Sequence, residues 1–151
     1  MSLSLVETYE CARDVFKASA ALNDVRSSGT TIESIPATEV LGPSLKFTIT
    51  PAWNRKVIAK LYYRSDDAHF FTVEIFNSEV KDSFLLDEWM NLHCTPVNLS
   101  LFDLNSYQGT LQERLAAFFS FLAAQLSERS LQEVLNGQKW EHIPYDWGAM
   151  R

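Results

Sequence analysis

The side chains in this chain whose types could do chemistry are its histidines, its cysteines and its paired carboxylates. His93 and Cys94 are neighbours, but a zinc site would need distant partners, because no histidine has a second ligand at HxH or HExxH spacing. Nucleophilic catalysis by Cys94 would need a histidine to meet it in space, and the spacing does not indicate one. We therefore expect neither a metal nor a catalytic cysteine.

Paired carboxylates occur at Asp66-Asp67 and at Asp87-Glu88. The first pair fits a turn, where aspartate side chains bond nearby backbone amides, and the second fits the solvated face of a helix. The chain has five glycines and no GxGxxG or GxxxxGK[ST] arrangement, which argues against a loop that cradles nucleotide phosphates. The sequence predicts no catalytic residue and no cofactor.

An acidic stretch that contains a tryptophan is the first candidate binding site. Residues 77–103 hold five carboxylates and one lysine. A solvated helix face is enough to explain the charges. A tryptophan beside clustered carboxylates, however, is also typical of a hot spot for a basic partner. The partner-binding residues predicted in this stretch are Asp82, Asp87, Glu88 and Trp89.

The C-terminal tail, residues 137–151, is the second candidate, because it is rich in aromatic rings. Disordered tails are usually poor in such rings. The rings either fold back to cap the core or contact a partner, and the sequence leaves both interpretations open. The tail residues predicted to bind a partner are Trp140, Tyr145, Asp146 and Trp147.

Charge narrows the class of partner. The net charge is −6 and the pI is near 5.0, which disfavours nucleic acid and anionic membranes, since both are held mainly through lysine and arginine. We interpret the small basic group formed by Arg55, Lys56, Lys60 and Arg64 as protection of an edge strand against aggregation. The expected partner is a basic protein.

The size and the cysteines indicate one domain in a reducing compartment. A chain of 151 residues can bury a core without metal or disulfide support, and no linker or repeat divides it. Cys11 and Cys94 stand far apart, and the first residues lack the basic region and apolar core of a signal peptide. We expect a single cytoplasmic domain, residues 1–151.

The most apolar segment, from Thr110 to Leu126, is predicted to form the central helix. Its leucines and phenylalanines recur at helical spacing, and Thr110 with Glu113 forms a capping box. The segment is slightly short for a bilayer and contains charged residues, so we predict a buried helix rather than a membrane span.

The other elements follow from the change between helical and alternating patterns, and together they predict an α+β fold. In this fold a mainly antiparallel sheet is packed on one face by the N-terminal and C-terminal helices. The predicted elements are a helix from Ser4 to Ser27, strands at 30–35, 38–41 and 45–51, a hairpin of 57–64 with 69–76, a helix from 81 or 83 to 93, a strand at 97–104, and a short helix that begins at Ser130 and ends at Gly137.

Two classes of function remain open. The leading hypothesis is a non-catalytic binding protein, monomer or homodimer, that occludes a basic partner in the way an immunity protein neutralises a toxic enzyme. A variant is a secretion-type chaperone that acts as an acidic dimer. The rival class is an enzyme or small-ligand domain with a cleft between sheet and helices, for which Tyr62, His69, Cys94 and Asp103 are the candidate groups.

Overall fold

The sheet is a five-stranded antiparallel meander whose strands lie side by side in chain order. A computed structural model describes residues 4–19, 22, 30–36, 43–62, 69–93, 99–140, 142 and 143. The predicted α+β class with an antiparallel sheet is confirmed. The strands are β1 (Thr30–Ile35), β2 (Ser44–Ala52), β3 (Arg55–Tyr62), β4 (Phe70–Asn77) and β5 (Asp82–Leu85).

The hairpin predicted from the alternating segments is confirmed as β3 and β4, in which Val57 partners Ile75 and Leu61 partners Phe71. Strand β3 is the middle strand of the sheet. The interpretation of its basic residues as edge protection is therefore wrong, and one of them, Arg55, is buried. Arg64, the turn of this hairpin and the predicted strand at 38–41 lie outside the described residues.

The first helix, α1 (Leu5–Ala18), begins at the predicted position. The Ser4 hydroxyl accepts from the backbone of Glu7 at 3.1 Å, and the Glu7 carboxylate accepts from the Ser4 amide at 3.3 Å, which completes the capping box. The predicted end at Ser27 is wrong, because the chain leaves the helix at Ser19. The Ser19 amide donates to the Phe16 carbonyl at 3.3 Å, and Ser19 has an extended backbone, which marks the end of the helix.

The central helix is confirmed as α3 (Leu111–Leu126), with the capping box at Thr110. It packs on the sheet through aromatic rings: Phe118 stacks on Phe71 with ring centroids 3.8 Å apart. Helix α1 lies beside it, and Phe47 of the sheet lies 4.7 Å from Phe16 and 5.5 Å from Phe119. The two helices thus cover one face of the sheet, as predicted.

The segment predicted as one helix from Lys81 or Ser83 to His93 divides into two elements. Residues 82–85 form β5, because they pair antiparallel with β4, with Phe84 opposite Ile75. Helix α2 (Leu86–His93) follows. Its buried residues are Leu86, Trp89 and Met90, so the predicted face of Leu85, Trp89 and Leu92 is wrong, and Leu92 is 61 % exposed.

The prediction of a strand at 97–104 is also wrong for residues 99–104, the part of this range that the structure describes. Two short 3-10 helices, Leu99–Phe102 and Leu104–Ser106, occupy that part of the chain. Asp103 accepts from the Asn105 amide at 2.9 Å and so caps the second of them. Such local bonds offer the backbone an alternative to a strand.

The last helix, α4 (Arg129–Leu135), ends as predicted, with Gly137 at a positive φ of 86°. Its predicted start is wrong by two residues. The N-cap is Glu128, whose side chain makes no capping hydrogen bond, and Ser130 lies inside the helix.

Candidate functional site

Three of the predicted partner-binding residues meet at the edge strand β5. Trp140 donates from its indole Nε1 to the Asp82 carboxylate at 3.0 Å, and His142 Nδ1 lies 2.9 Å from the same oxygen. Trp89 and Trp140 both pack against Phe84, with centroid distances of 5.3 and 5.1 Å. The tail therefore folds back on the core at this point, while Tyr145, Asp146 and Trp147 lie outside the described residues.

The carboxylate of Asp82 is held in its charged form by this contact. Burial alone would raise the pKa of Asp82, but hydrogen bonds from His142 and Trp140 outweigh burial and leave the pKa below its usual range. The group is thus engaged within the protein rather than presented to a partner.

Arg55 completes the attachment of the C-terminal segment, a role that no pattern in the sequence indicates. Its side chain is 3 % exposed, and its Nε donates to the Val134 carbonyl at 2.9 Å. Its Nη2 donates to the Lys139 carbonyl at 3.4 Å, and the guanidinium lies 5.1 Å from the Trp140 ring centroid. Burial lowers the pKa of Arg55, and Glu79 partly opposes this. The arginine binds carbonyls at the end of α4, where a cation is favoured.

The rest of the predicted acidic face is partly internal. Trp89 is 4 % exposed and stacks between Phe84 and His93, the latter at 4.0 Å, so its ring belongs to the core. Asp87 and Glu88 are half-buried, and burial raises the pKa of Asp87. These residues therefore do not form the exposed tryptophan surrounded by carboxylates that the hot-spot hypothesis requires.

Three of the candidate groups of an enzyme cleft, Tyr62, His69 and Asp103, lie near Phe70. Tyr62 stacks on Phe70 at 5.0 Å, and Asp103 forms an isolated bridge with Phe70. His69 is buried and precedes Phe70, so in an extended chain it faces the opposite side from Tyr62. Tyr62 and His69 therefore do not face one common cleft, and Cys94 lies outside the described residues.

In the part of the chain that the structure describes, no group of three histidine, cysteine, aspartate or glutamate side chains could hold a metal ion.

A concave surface lies between α1 and α3, and it is lined by residues of both helices. This surface, the α1–α3 groove, has a volume of about 860 Å³. Small and apolar side chains contribute to its walls, and three carboxylates lie along α1. The lining residues are Glu7, Glu10, Cys11, Asp14, Val15, Ala18 and Ser19 from α1, and Gln112, Ala116 and Ser120 from α3.

The charged side chains that line the groove are acidic among the residues that the structure describes. The described lining of the groove includes Glu7, Glu10 and Asp14 but no lysine or arginine. Burial raises the pKa of the Cys11 thiol, and the Asp14 charge raises it further, so this cysteine stays a neutral, weakly reactive group.

The sequence contains a signal for the groove that the partner-site prediction did not use. Glu7, Glu10 and Asp14 recur at spacings of three and four, which places them on one face of α1. Ala116 and Ser120 are four residues apart on α3, so small side chains line the facing wall. Only the contact between the two helices shows that these faces border one groove.

Comparison of the chain with protein-family models, with curated proteins and with solved structures found no match in any of the three. Among the described residues, no helix has both the length and the apolar character needed to cross a membrane.

Proposed function

We propose that this chain is a non-catalytic binding protein that occludes a basic protein partner, in the way an immunity protein neutralises a toxic enzyme. In this proposal a basic amphipathic helix of the partner binds in the α1–α3 groove. The observation that carries the proposal is the groove itself, in which carboxylates line one wall and the other residues, apart from Gln112, are small or apolar.

The shape of the groove suits a helix. Two helices form its walls, and an amphipathic helix that lays its apolar side into such a groove is a recurring mode of recognition. Helix α1 has 14 residues, so it is about 21 Å long and could match a partner helix of about four turns. Ala18, Ala116 and Ser120 would allow close approach of the partner backbone.

The charges supply selectivity. A partner with lysine or arginine beside the α1 wall would pair with Glu10 and Asp14, while its apolar side contacts Val15 and Cys11. The net charge of −6 would also steer a basic partner towards the chain and raise its association rate at low salt.

A designed peptide tests the proposal with a defined ligand. The probe is a four-turn helix with lysines along one side and leucines and alanines along the other, and its control carries glutamates in place of the lysines. We expect the basic peptide to bind, with an affinity that falls as salt rises, and the acidic peptide not to bind. Equal binding of both peptides would contradict the proposal.

Two charge reversals of equal size locate the site. Glu10→Lys with Asp14→Lys changes the groove, and Asp87→Lys with Glu88→Lys changes the face predicted from the sequence. Glu7 is left intact, because it belongs to the capping box of α1. We expect only the groove variant to lose peptide binding. Loss in the second variant alone, with both variants folded, would return the site to the face around α2.

The natural partner would follow from a pull-down in the native host with mass-spectrometric identification. Capture of a basic enzyme whose activity is blocked at equal molar amounts would support the inhibitor form of the proposal. Capture of an unfolded effector segment by a dimer of this chain would support the chaperone variant instead.

A further inference from the structure

The edge strand β1 is the most exposed strand of the sheet. Thr30, Thr31, Glu33 and Ser34 are all exposed, and within the described chain β1 pairs only with β2. An edge strand presents a row of backbone N–H and C=O groups that can pair with another strand. Strand β1 is therefore available for pairing.

The two edges of the sheet differ in how they are protected. Proteins usually protect an edge with lysine, proline, a bulge, a very short strand or a covering segment. Strand β5 has four residues, and the contacts of Trp140 and His142 with Asp82 cover it. Strand β1 has six residues in unbroken register with β2 and contains neither lysine nor proline. Among the described residues, none pairs with the outer edge of β1.

An apolar cleft of about 410 Å³ lies beside β1, between this strand and α1. Arg13 donates to the Ser34 hydroxyl at 3.1 Å and links α1 to the strand. Val6, at the rim of the cleft, is 63 % exposed. Together the edge of β1 and the cleft form one surface, here called the edge-cleft surface. The cleft is lined by Leu5, Val6, Tyr9, Arg13, Ser34, Ile35, Pro36 and Pro43.

We propose that the edge-cleft surface joins two copies of this chain in a two-fold symmetric dimer. The two β1 strands pair antiparallel, and Val6 of each copy enters the cleft of the other. A two-fold contact brings the same patch of both copies together, so a patch that carries both an apolar projection and an apolar cavity can complement itself. The strand edge supplies hydrogen bonds, and the cleft supplies apolar burial.

Charge favours a second copy at this surface over other places where two copies might meet. The chain carries a net charge of −6, so most of its surfaces repel their own copies. The edge-cleft surface has one cation, Arg13, and one anion, Glu33, and the Glu33 carboxylate already pairs with Lys46 at 3.4 Å. The charges of the described residues on this surface nearly cancel, so two copies meet there with less repulsion than at an acidic surface.

The dimer is independent of the proposed function, because the two surfaces use different faces of α1. The cleft uses Leu5, Val6 and Tyr9, whereas the groove uses Glu10 and Asp14. The groove would stay open in both copies.

Sedimentation and amide hydrogen exchange of the full chain test the proposal across a wide range of protein concentration. We expect a monomer–dimer equilibrium, and we expect the amides of residues 30–35 to exchange more slowly as the dimer forms. A monomer at every concentration would overturn the proposal. A dimer that leaves the exchange of these amides unchanged would overturn it as well.

Two variants and a control identify the contact. Val6→Asp places an acid in the first turn of α1, where the helix dipole favours it, so the fold should be kept. Thr31→Lys charges the exposed edge. We expect each to raise the dimer dissociation constant roughly tenfold or more, as loss of a central contact does. Val80→Asp, at a residue 54 % exposed on the β4–β5 turn, should leave it unchanged. Equal weakening by all three would exclude the edge-cleft surface.

Discussion

Trp140 and Asp82 are 58 residues apart in the chain, and the indole Nε1 of Trp140 donates to the Asp82 carboxylate at 3.0 Å. This bond connects the C-terminal segment to the edge strand β5. Because Asp82 is charged in the contact, the attachment depends on pH.

Acidification should weaken this attachment. The pKa of Asp82 is lowered in the folded protein, so its contribution to stability is full above the ordinary aspartate pKa of about 3.9 and is lost as the pH falls through the folded value. We expect Asp82→Asn to reduce the free energy of unfolding at neutral pH and to flatten its fall between about pH 5 and pH 2.

Chemical denaturation at a series of pH values measures this effect, with Glu128→Gln as the control, since Glu128 is exposed and makes no capping bond. If Asp82→Asn and the wild type lost stability in parallel over the acid range, the contact would have no linkage to protonation.

Replacement of Arg55 should be severely destabilising. The side chain is buried and donates to the carbonyls of Val134 and Lys139, so its loss would remove two charge-assisted hydrogen bonds that hold the end of α4 and the residues after it. We expect Arg55→Leu to cost about 2–4 kcal/mol in the free energy of unfolding. Lys56→Ala, at the exposed next residue of β3, should change it by less than about 0.5 kcal/mol. Similar small losses in both variants would mean that Arg55 does not secure α4.

Two tyrosine-to-phenylalanine changes should alter the free energy of unfolding in opposite directions. The Tyr9 hydroxyl is buried with no hydrogen-bond partner among the described residues, and burial raises the pKa of Tyr9 to about 12 although Arg13 opposes this. The Tyr107 hydroxyl instead donates to the Leu101 carbonyl at 2.7 Å. Tyr9→Phe should therefore stabilise the fold by up to about 1–2 kcal/mol, and Tyr107→Phe should destabilise it by about 1 kcal/mol.

Both values come from the midpoint and slope of denaturant unfolding. A loss of stability in Tyr9→Phe as large as that in Tyr107→Phe would show that the Tyr9 hydroxyl has a partner in solution.

Elements with a strong local pattern could be predicted from the sequence. The capping box at Thr110 and the repeated leucines and phenylalanines fixed α3, and strict alternation fixed β3 and β4. The four residues of β5 could not be predicted, because a run this short fits a helix equally well and only its pairing with β4 decides. Local signals specify long elements, and tertiary contacts decide short ones.

The site was harder to predict than the fold. Trp89 shares a helix with Asp87 and Glu88, and the sequence alone does not show that the helix is rotated so that its ring meets Phe84. Arg55 begins an ordinary strand, and its binding to the Val134 carbonyl joins residues 79 positions apart. Such contacts depend on how elements from distant parts of the chain meet.

The order of the strands also has a consequence for how the chain folds during its synthesis. Each strand pairs with the one made just before it, so the meander closes only short loops and can form as the chain lengthens. The guanidinium of Arg55 then has the neighbouring Asn54 carbonyl as an acceptor, but it lacks the carbonyls of Val134 and Lys139 until those residues have been made. Synthesis of the C-terminal segment is therefore expected to be the step that completes burial of this charge, and in a chain cut short after α3 the guanidinium would remain in contact with water.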